Sequence, residues 1–167
     1  TVTITFQSDA QDIGSKVLTA KGYNTHAEAT TVFEIIAGIS GINPIRGPVG
    51  TVVTIDGGGY VKNAAVRIDF GTHKTITTLI TEGNGTFSGT FIVSTQVQGT
   101  TVVTVMDLDE TNQATTLFEI LSQIILITPK IDFVNEVITV EGTGYGYLDH
   151  LEELIQIDFG THETITT

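Results

Sequence analysis

The sequence contains no cysteine and no tryptophan, only one methionine and only three prolines. Without cysteine, disulfides neither staple the fold nor report a redox compartment. Without tryptophan, and with one methionine, the chain is short of side chains that commonly anchor ligands. Basic residues are scarce as well: seven Lys and Arg stand against 19 Asp and Glu, for a net charge of -12. No basic cluster exists to displace counterions from phosphates, which argues against nucleic acid and against anionic membrane surfaces as partners. The acidity suits solubility and mutual repulsion, and it also suits a surface that takes up divalent cations. Long apolar runs are missing too. The longest, Ile124-Ile125-Leu126-Ile127, has four residues, far short of the roughly 20 that a spanning helix needs, and is expected to be one buried strand. The chain opens on Thr1 with no basic-then-apolar leader, so it is expected to be a processed or excerpted piece.

What is abundant points one way. Thirty threonines, together with many Val and Ile, make a β-branched chain, and eighteen glycines supply turns. Such residues fit a pleated, half-buried surface. No segment carries sustained helical periodicity, so the expectation is an all-β fold.

The chain repeats itself. Phe6 and Phe91 stand 85 residues apart, and at that offset residues 1–35 align with 86–120 without a gap. Gln11/Gln96, Gly14/Gly99, Val17/Val102 and Thr19/Thr104 are identical, as are Phe33-Glu34-Ile35 and Phe118-Glu119-Ile120. The same offset relates Pro44 to Pro129, Gly59 to Gly144 and Tyr60 to Tyr145. Asp69-Phe70-Gly71-Thr72-His73 then recurs as Asp158-Phe159-Gly160-Thr161-His162 at an offset of 89, which places four extra residues around Leu148 to Leu154. A helical turn is conceivable there. A period of 85 is too long for a solenoid unit of about 20–45 residues and fits a small sandwich of short strands, typically about 100 residues.

Within the period, Val66, Ile68 and Phe70 alternate with Arg67 and Asp69, which predicts an inward apolar face and carboxylates, Asp69 and Asp158, turned to water. Phe91 is expected inside with Val66 and Ile68. Thr101 to Met106 and Thr116 to Leu121 read as further strands. Turns are expected at Asp56-Gly57-Gly58-Gly59, at Gly71-Thr72-His73 and at Asn84-Gly85, the last a hairpin signal because both residues tolerate positive φ.

Ser40 to Tyr60, SGINPIRGPVGTVVTIDGGGY, resembles the opening of IPT/TIG-type immunoglobulin-like repeats: a Pro, a Gly-Pro-x-Gly turn, an alternating strand, then Gly-x-Gly-Phe/Tyr. VRIDFG (66–71) is similar to the strand that follows, and GTFSGTF (85–91) to segments of bacterial and archaeal surface repeats. The last copy departs where Lys130 to Glu136 replaces the Gly-Pro-x-Gly turn. The resemblance implies tandem immunoglobulin-like β-sandwich repeats: residues 1–38 the second half of one sandwich, 39–123 a complete one, and 124–167 the first half of another. It further implies an extracellular, cell-surface structural protein of a surface layer or filament. Its partner would be itself, in a head-to-tail homopolymer or a tandem array. The alternative is an adhesin or carbohydrate-binding module, for which a patch of exposed aromatics would be the mark. If the halves complete one another, Phe6, Val17 and Phe33 are expected to pack against Ile138, Ile157 and Phe159. A loop of seven residues, matching Leu79 to Gly85, would bridge the chain from Thr167 to a following copy.

No catalytic constellation stands out, and an enzyme is not expected. The four histidines, His26, His73, His150 and His162, lack metal-ligand spacing; His73 and His162 are one turn position seen twice. Asp107, Asp109 and Glu110, on a loop between strands, are the candidate ligands for a calcium ion, which favours several oxygens on a flexible loop. The first copy has Gly22-Tyr-Asn-Thr-His26 there instead, without these acids. Asn84-Gly85-Thr86 is an N-glycosylation sequon on a turn, and the many threonines could carry O-linked glycans.

Overall fold

The computed structural model describes residues 2–146 and 155–165. Among these every regular element is a strand. The elements are β1 (Gly14–Lys21), β2 (Glu28–Ile35), β3 (Gly38–Asn43), β4 (Arg46–Pro48), β5 (Val52–Gly58), β6 (Ala65–Phe70) and β7 (His73–Ile80). They continue with β8 (Phe87–Ile92), β9 (Gly99–Asp107), β10 (Gln113–Leu121), β11 (Gln123–Thr128), β12 (Thr139–Thr143), β13 (Ile157–Phe159) and β14 (His162–Ile165). The insertion around 148–154, where a helical turn was conceivable, lies outside the described residues.

The middle of the chain builds two facing sheets in the manner of a β-sandwich. One has three strands in the order β3-β5-β8, the other five in the order β4-β10-β9-β6-β7. All pairings are antiparallel except that of β4 with β10. Alternation aims one side of each strand at the space between the sheets. Val53, Ile55, Phe87 and Phe91 come from the smaller sheet, and Ile68, Phe70, Val103, Val105, Phe118 and Ile120 from the larger. Phe70 sits at the centre, its ring 5.6 Å from Phe91 and 5.7 Å from Phe118. Tyr60 is fully buried edge-on to Phe87, and its hydroxyl donates to the carbonyl of Val105 at 3.0 Å. Burial, followed by the nearby charge of Asp107, pushes that phenol well above the ordinary tyrosine range. Val66, Ile68 and Phe91 are inside, as the alternation predicts.

Four expectations need correction. Asp56-Gly57-Gly58 is not a turn: β5 continues through Gly58, pairing Asp56 with Ser88 and Gly57 with Phe87, and the chain leaves the strand only at Gly59. Asp69 does not face water: only 2 % of it is exposed. A register shift between Ile68 and Phe70 breaks the alternation, and Thr75, at φ 51°, aims its N–H at the carboxylate (2.7 Å), with Lys74 at 3.1 Å. Asp158, by contrast, is exposed and accepts from Gln156 at 3.0 Å. Asn84-Gly85 does turn the chain, but not into a hairpin. It carries the chain from β7 in one sheet to β8 in the other. Finally, Ile124 to Ile127 do form a strand within β11, yet every residue of it is exposed, because β11 belongs to a two-stranded sheet rather than to either sheet of the sandwich.

Candidate assembly surfaces

The two-stranded sheets at either end of the chain are copies of pieces of the middle. Adding 85 to each residue of the β1–β2 ladder, from Gly14↔Ile35 to Lys21↔Glu28, gives the β9–β10 ladder, from Gly99↔Ile120 to Met106↔Gln113, pair for pair. The β11–β12 ladder likewise reproduces β3–β5, including the irregularity at Ile124/Leu126 that matches Ile39/Gly41. Phe159↔His162 repeats Phe70↔His73 at an offset of 89. Local sequence therefore makes each of these strand pairs twice, although Ile157 pairs with Ile165 where Ile68 pairs with Thr77.

Burial is what differs. Phe91 and Phe118 are 3 % and 1 % exposed, whereas their counterparts Phe6 and Phe33 are 67 % and 51 % exposed. Phe159 is 63 % exposed where Phe70 has no exposure. Ile138, in the place of fully buried Val53, is 43 % exposed, and Ile157 in the place of Ile68 is half-buried. A cleft on the first of these surfaces is lined by Phe6, Val17, Leu18, Phe33 and Ile35. Open apolar faces of this kind mark interaction surfaces, and the strand edges beside them are templates for pairing.

Alignment on the middle copy also refines the residue set. Val17 corresponds to Val102, 45 % exposed on the outer side of the larger sheet, while Leu18 corresponds to fully buried Val103. The positions on the first surface that match buried residues of the middle are Phe6, Leu18 and Phe33, with Ala20 and Ile35 in the places of Val105 and Ile120. Ile138, Ile157 and Phe159 all map onto buried positions, and Val140 and Tyr145 join them in the places of Ile55 and Tyr60. Sequence reasoning missed Leu18 because Val102-Val103 offers two adjacent apolar residues and period 2 alone does not choose between them.

The joints between these pieces and the middle are alike. Residues 36–37 alone separate β2 from β3, and Ser122 alone separates β10 from β11. Gly59 (φ 75°) packs its backbone on the carbonyl of Ile36, and Gly144 (φ 79°) on that of Leu121, leaving no room for a Cβ. A backbone hydrogen bond from Ile13 to Tyr60 (3.2 Å) is answered by one from Gln98 to Gly144 (2.8 Å).

The acidic loop is organised around its own residues. Asp107 is buried and accepts from Asn112 Nδ2 (2.6 Å), the Asn112 N–H and Thr111 Oγ1. Asp109 accepts from Thr111 Oγ1 (2.6 Å) and the Thr111 N–H, which hold its carboxyl below the usual range. Glu110 is drawn to Arg67 at 2.7 Å. The loop brings Asp107 and Asp109 onto the same hydroxyl and turns Glu110 elsewhere. Among the described residues no group of three His, Cys, Asp or Glu is placed to hold a metal. Asn84 is exposed, and its Oδ1 accepts from the N–H and the hydroxyl of Thr86 (3.1 and 2.7 Å) in a closed turn. His73 meets Ser94 Oγ at 2.6 Å. His150 lies outside the described residues. No helix among the described residues is long and apolar enough to cross a membrane. A scan against protein-family models finds no match to this chain, and a search of curated proteins finds none either.

Proposed function

We propose that the chain is a non-enzymatic structural protein of an extracellular assembly, a surface layer or filament, built from tandem immunoglobulin-like sandwiches of the IPT/TIG kind. Residues 39–123 are one complete unit, and residues 1–38 and 124–167 are a second and a first half. A further sandwich is completed where such halves meet head to tail, between neighbouring repeats or between copies. The strand arrangement supports the immunoglobulin-like assignment: a three-stranded sheet faces a five-stranded one, and the short β4 runs parallel to β10 while all else is antiparallel.

One observation carries the proposal. The β1–β2 and β11–β12 sheets reproduce strand pairs of the middle residue for residue, and the faces that the middle buries are bare at the ends. Each large apolar side chain covered at such a joint contributes about 1.5–3 kcal/mol, offset in part by the entropy of ordering both halves. A heterologous contact that does not close on itself gives a filament.

Sedimentation of the full chain across a concentration series, with electron microscopy of the same samples, tests this. Oligomers that lengthen with concentration are expected. A compact monomer at every concentration, with 1–38 folded onto 124–167 of the same chain, overturns it.

A further inference from the structure

The middle copy is a template for the joint, and transferring its register exposes a charge that selects the partner. In the complete unit β6 lies antiparallel to β9 with Val66↔Asp107, Arg67↔Met106, Ile68↔Val105, Asp69↔Thr104 and Phe70↔Val103. Moved by the repeat offsets, these pairs become Ile155–Gly22, Gln156–Lys21, Ile157–Ala20, Asp158–Thr19 and Phe159–Leu18, the second residue belonging to a second copy. The parallel pairing of β10 with β4 becomes Glu34–Ile131, Ile35–Asp132 and Ile36–Phe133.

At one position the cation has changed strands. The complete unit carries Arg67 on β6 opposite neutral Met106, whereas the joint would carry neutral Gln156 opposite Lys21. This matters because repeats that form the same strand pairs are prone to exchange: β1–β2 of one copy could displace β9–β10 from the sandwich of another. Lys21 would then stand directly opposite Arg67, and like charges directly opposite in an antiparallel pair are destabilising. The exchange would also take Glu110 away from Arg67, since Thr25 occupies the Glu110 position in β1–β2. In the joint, Lys21 faces an amide oxygen of Gln156, and Asp158 lies two residues along on the same face. Lys21 is exposed, held by Glu28 at 2.6 Å on the neighbouring strand, which leaves its other donors free for Gln156.

We propose that a second copy of this chain docks its β13 against β1 in this register, and that Lys21 is the specificity residue that directs the end halves to each other instead of into a complete sandwich. The inference rests on the assembly function proposed above and concerns which surfaces meet and in what register.

The absence of native cysteine makes cross-linking clean. Glu34→Cys with Ile131→Cys reports the joint, and Glu34→Cys with Arg46→Cys reports the exchange; both are made in the full chain, with and without Lys21→Glu, bridged by a short bismaleimide and resolved on denaturing gels. The joint pair should give a ladder of multimers and the exchange pair few. Lys21→Glu should move the ratio of joint to exchange products at least about threefold toward exchange, because an opposite charge then faces Arg67. A ladder from the joint pair whose ratio does not respond to Lys21→Glu overturns this inference and leaves the assembly function standing. Monomers alone from both pairs, bridged or not, overturn both.

Discussion

The β1–β2 pair and the β9–β10 pair have the same register at every paired position and share more than half of their residues, yet one is bare and the other is sealed. Strand formation here is local: a β-branched run, a turn and a returning run suffice to set the ladder. Burial is not local. Phe118 is covered because the facing sheet β3-β5-β8 lies over its side of β10 and Phe70 of β6 packs beside it, and Phe33 sits at the same place in its own strand pair without that sheet above it. The same contrast separates β11–β12 from β3–β5. Pairing and packing, which usually arrive together, are separable in this chain.

The comparison breaks most visibly at the aromatic centre. Phe70→Ala should cost the middle unit about 3–5 kcal/mol, the range for emptying a buried phenylalanine site, seen as a large drop in the urea midpoint. Phe159→Ala, at the equivalent exposed position, should leave that midpoint within about 0.5 kcal/mol while reducing multimer formation. Equal losses of stability from the two would mean that the end sheets share the core of the middle.

Asp69 gives a smaller effect with a pH signature. Burial alone would raise its carboxyl, but the Thr75 N–H, Lys74 and Arg67 outweigh burial and hold it below the usual range. A carboxyl lowered by folding stabilises above its unfolded value, near 3.9, and that contribution is lost as pH falls through the folded value. Asp69→Ala should therefore destabilise by about 1–3 kcal/mol at neutral pH and flatten the loss of stability as the pH falls below about 4. An unchanged acid limb in the variant would show that Asp69 is not the group responsible.

The smallest expected effect is at the acidic loop. With Asp107 committed to Asn112 and Thr111, and Glu110 to Arg67, chelation with EDTA should leave the melting temperature unchanged. A rise in melting temperature on adding calcium, abolished by Asp109→Asn, would instead reveal a cation site stabilising by mass action.

The fold was legible in the sequence wherever period-2 alternation and the repeat agreed. Val66, Ile68 and Phe91 needed nothing more, and the strand assignments for 101–106 and 116–121 follow from the same pattern. It failed where the third dimension decides. A shift in the β6–β7 ladder, invisible in the alternation of 66–70, buries Asp69. The Asn84-Gly85 signal identifies a turn without saying whether the next strand joins the same sheet. Ile124 to Ile127 carry the composition of a core strand, and only the strands around them determine whether that composition is covered. Among the residues of the proposed joint, Phe6, Phe33, Ile157 and Phe159 were readable from identity with buried positions and Ile138 from its match to buried Val53, while Leu18 required knowing which of two adjacent valines turns inward.

The seating of Gly59 on the Ile36 carbonyl, echoed by Gly144 on Leu121, bears on how such a chain responds to pulling. One or two residues between consecutive strand pairs, clamped by a backbone contact too close for any side chain, leave almost no slack to draw out. At these two joints, force applied along the chain would meet no soft entropic region of the kind that a flexible tether gives. Extension there would have to wait for the sheets on either side to part, and a bulkier residue at Gly59, forced against the Ile36 carbonyl, would loosen that joint like a worn bearing.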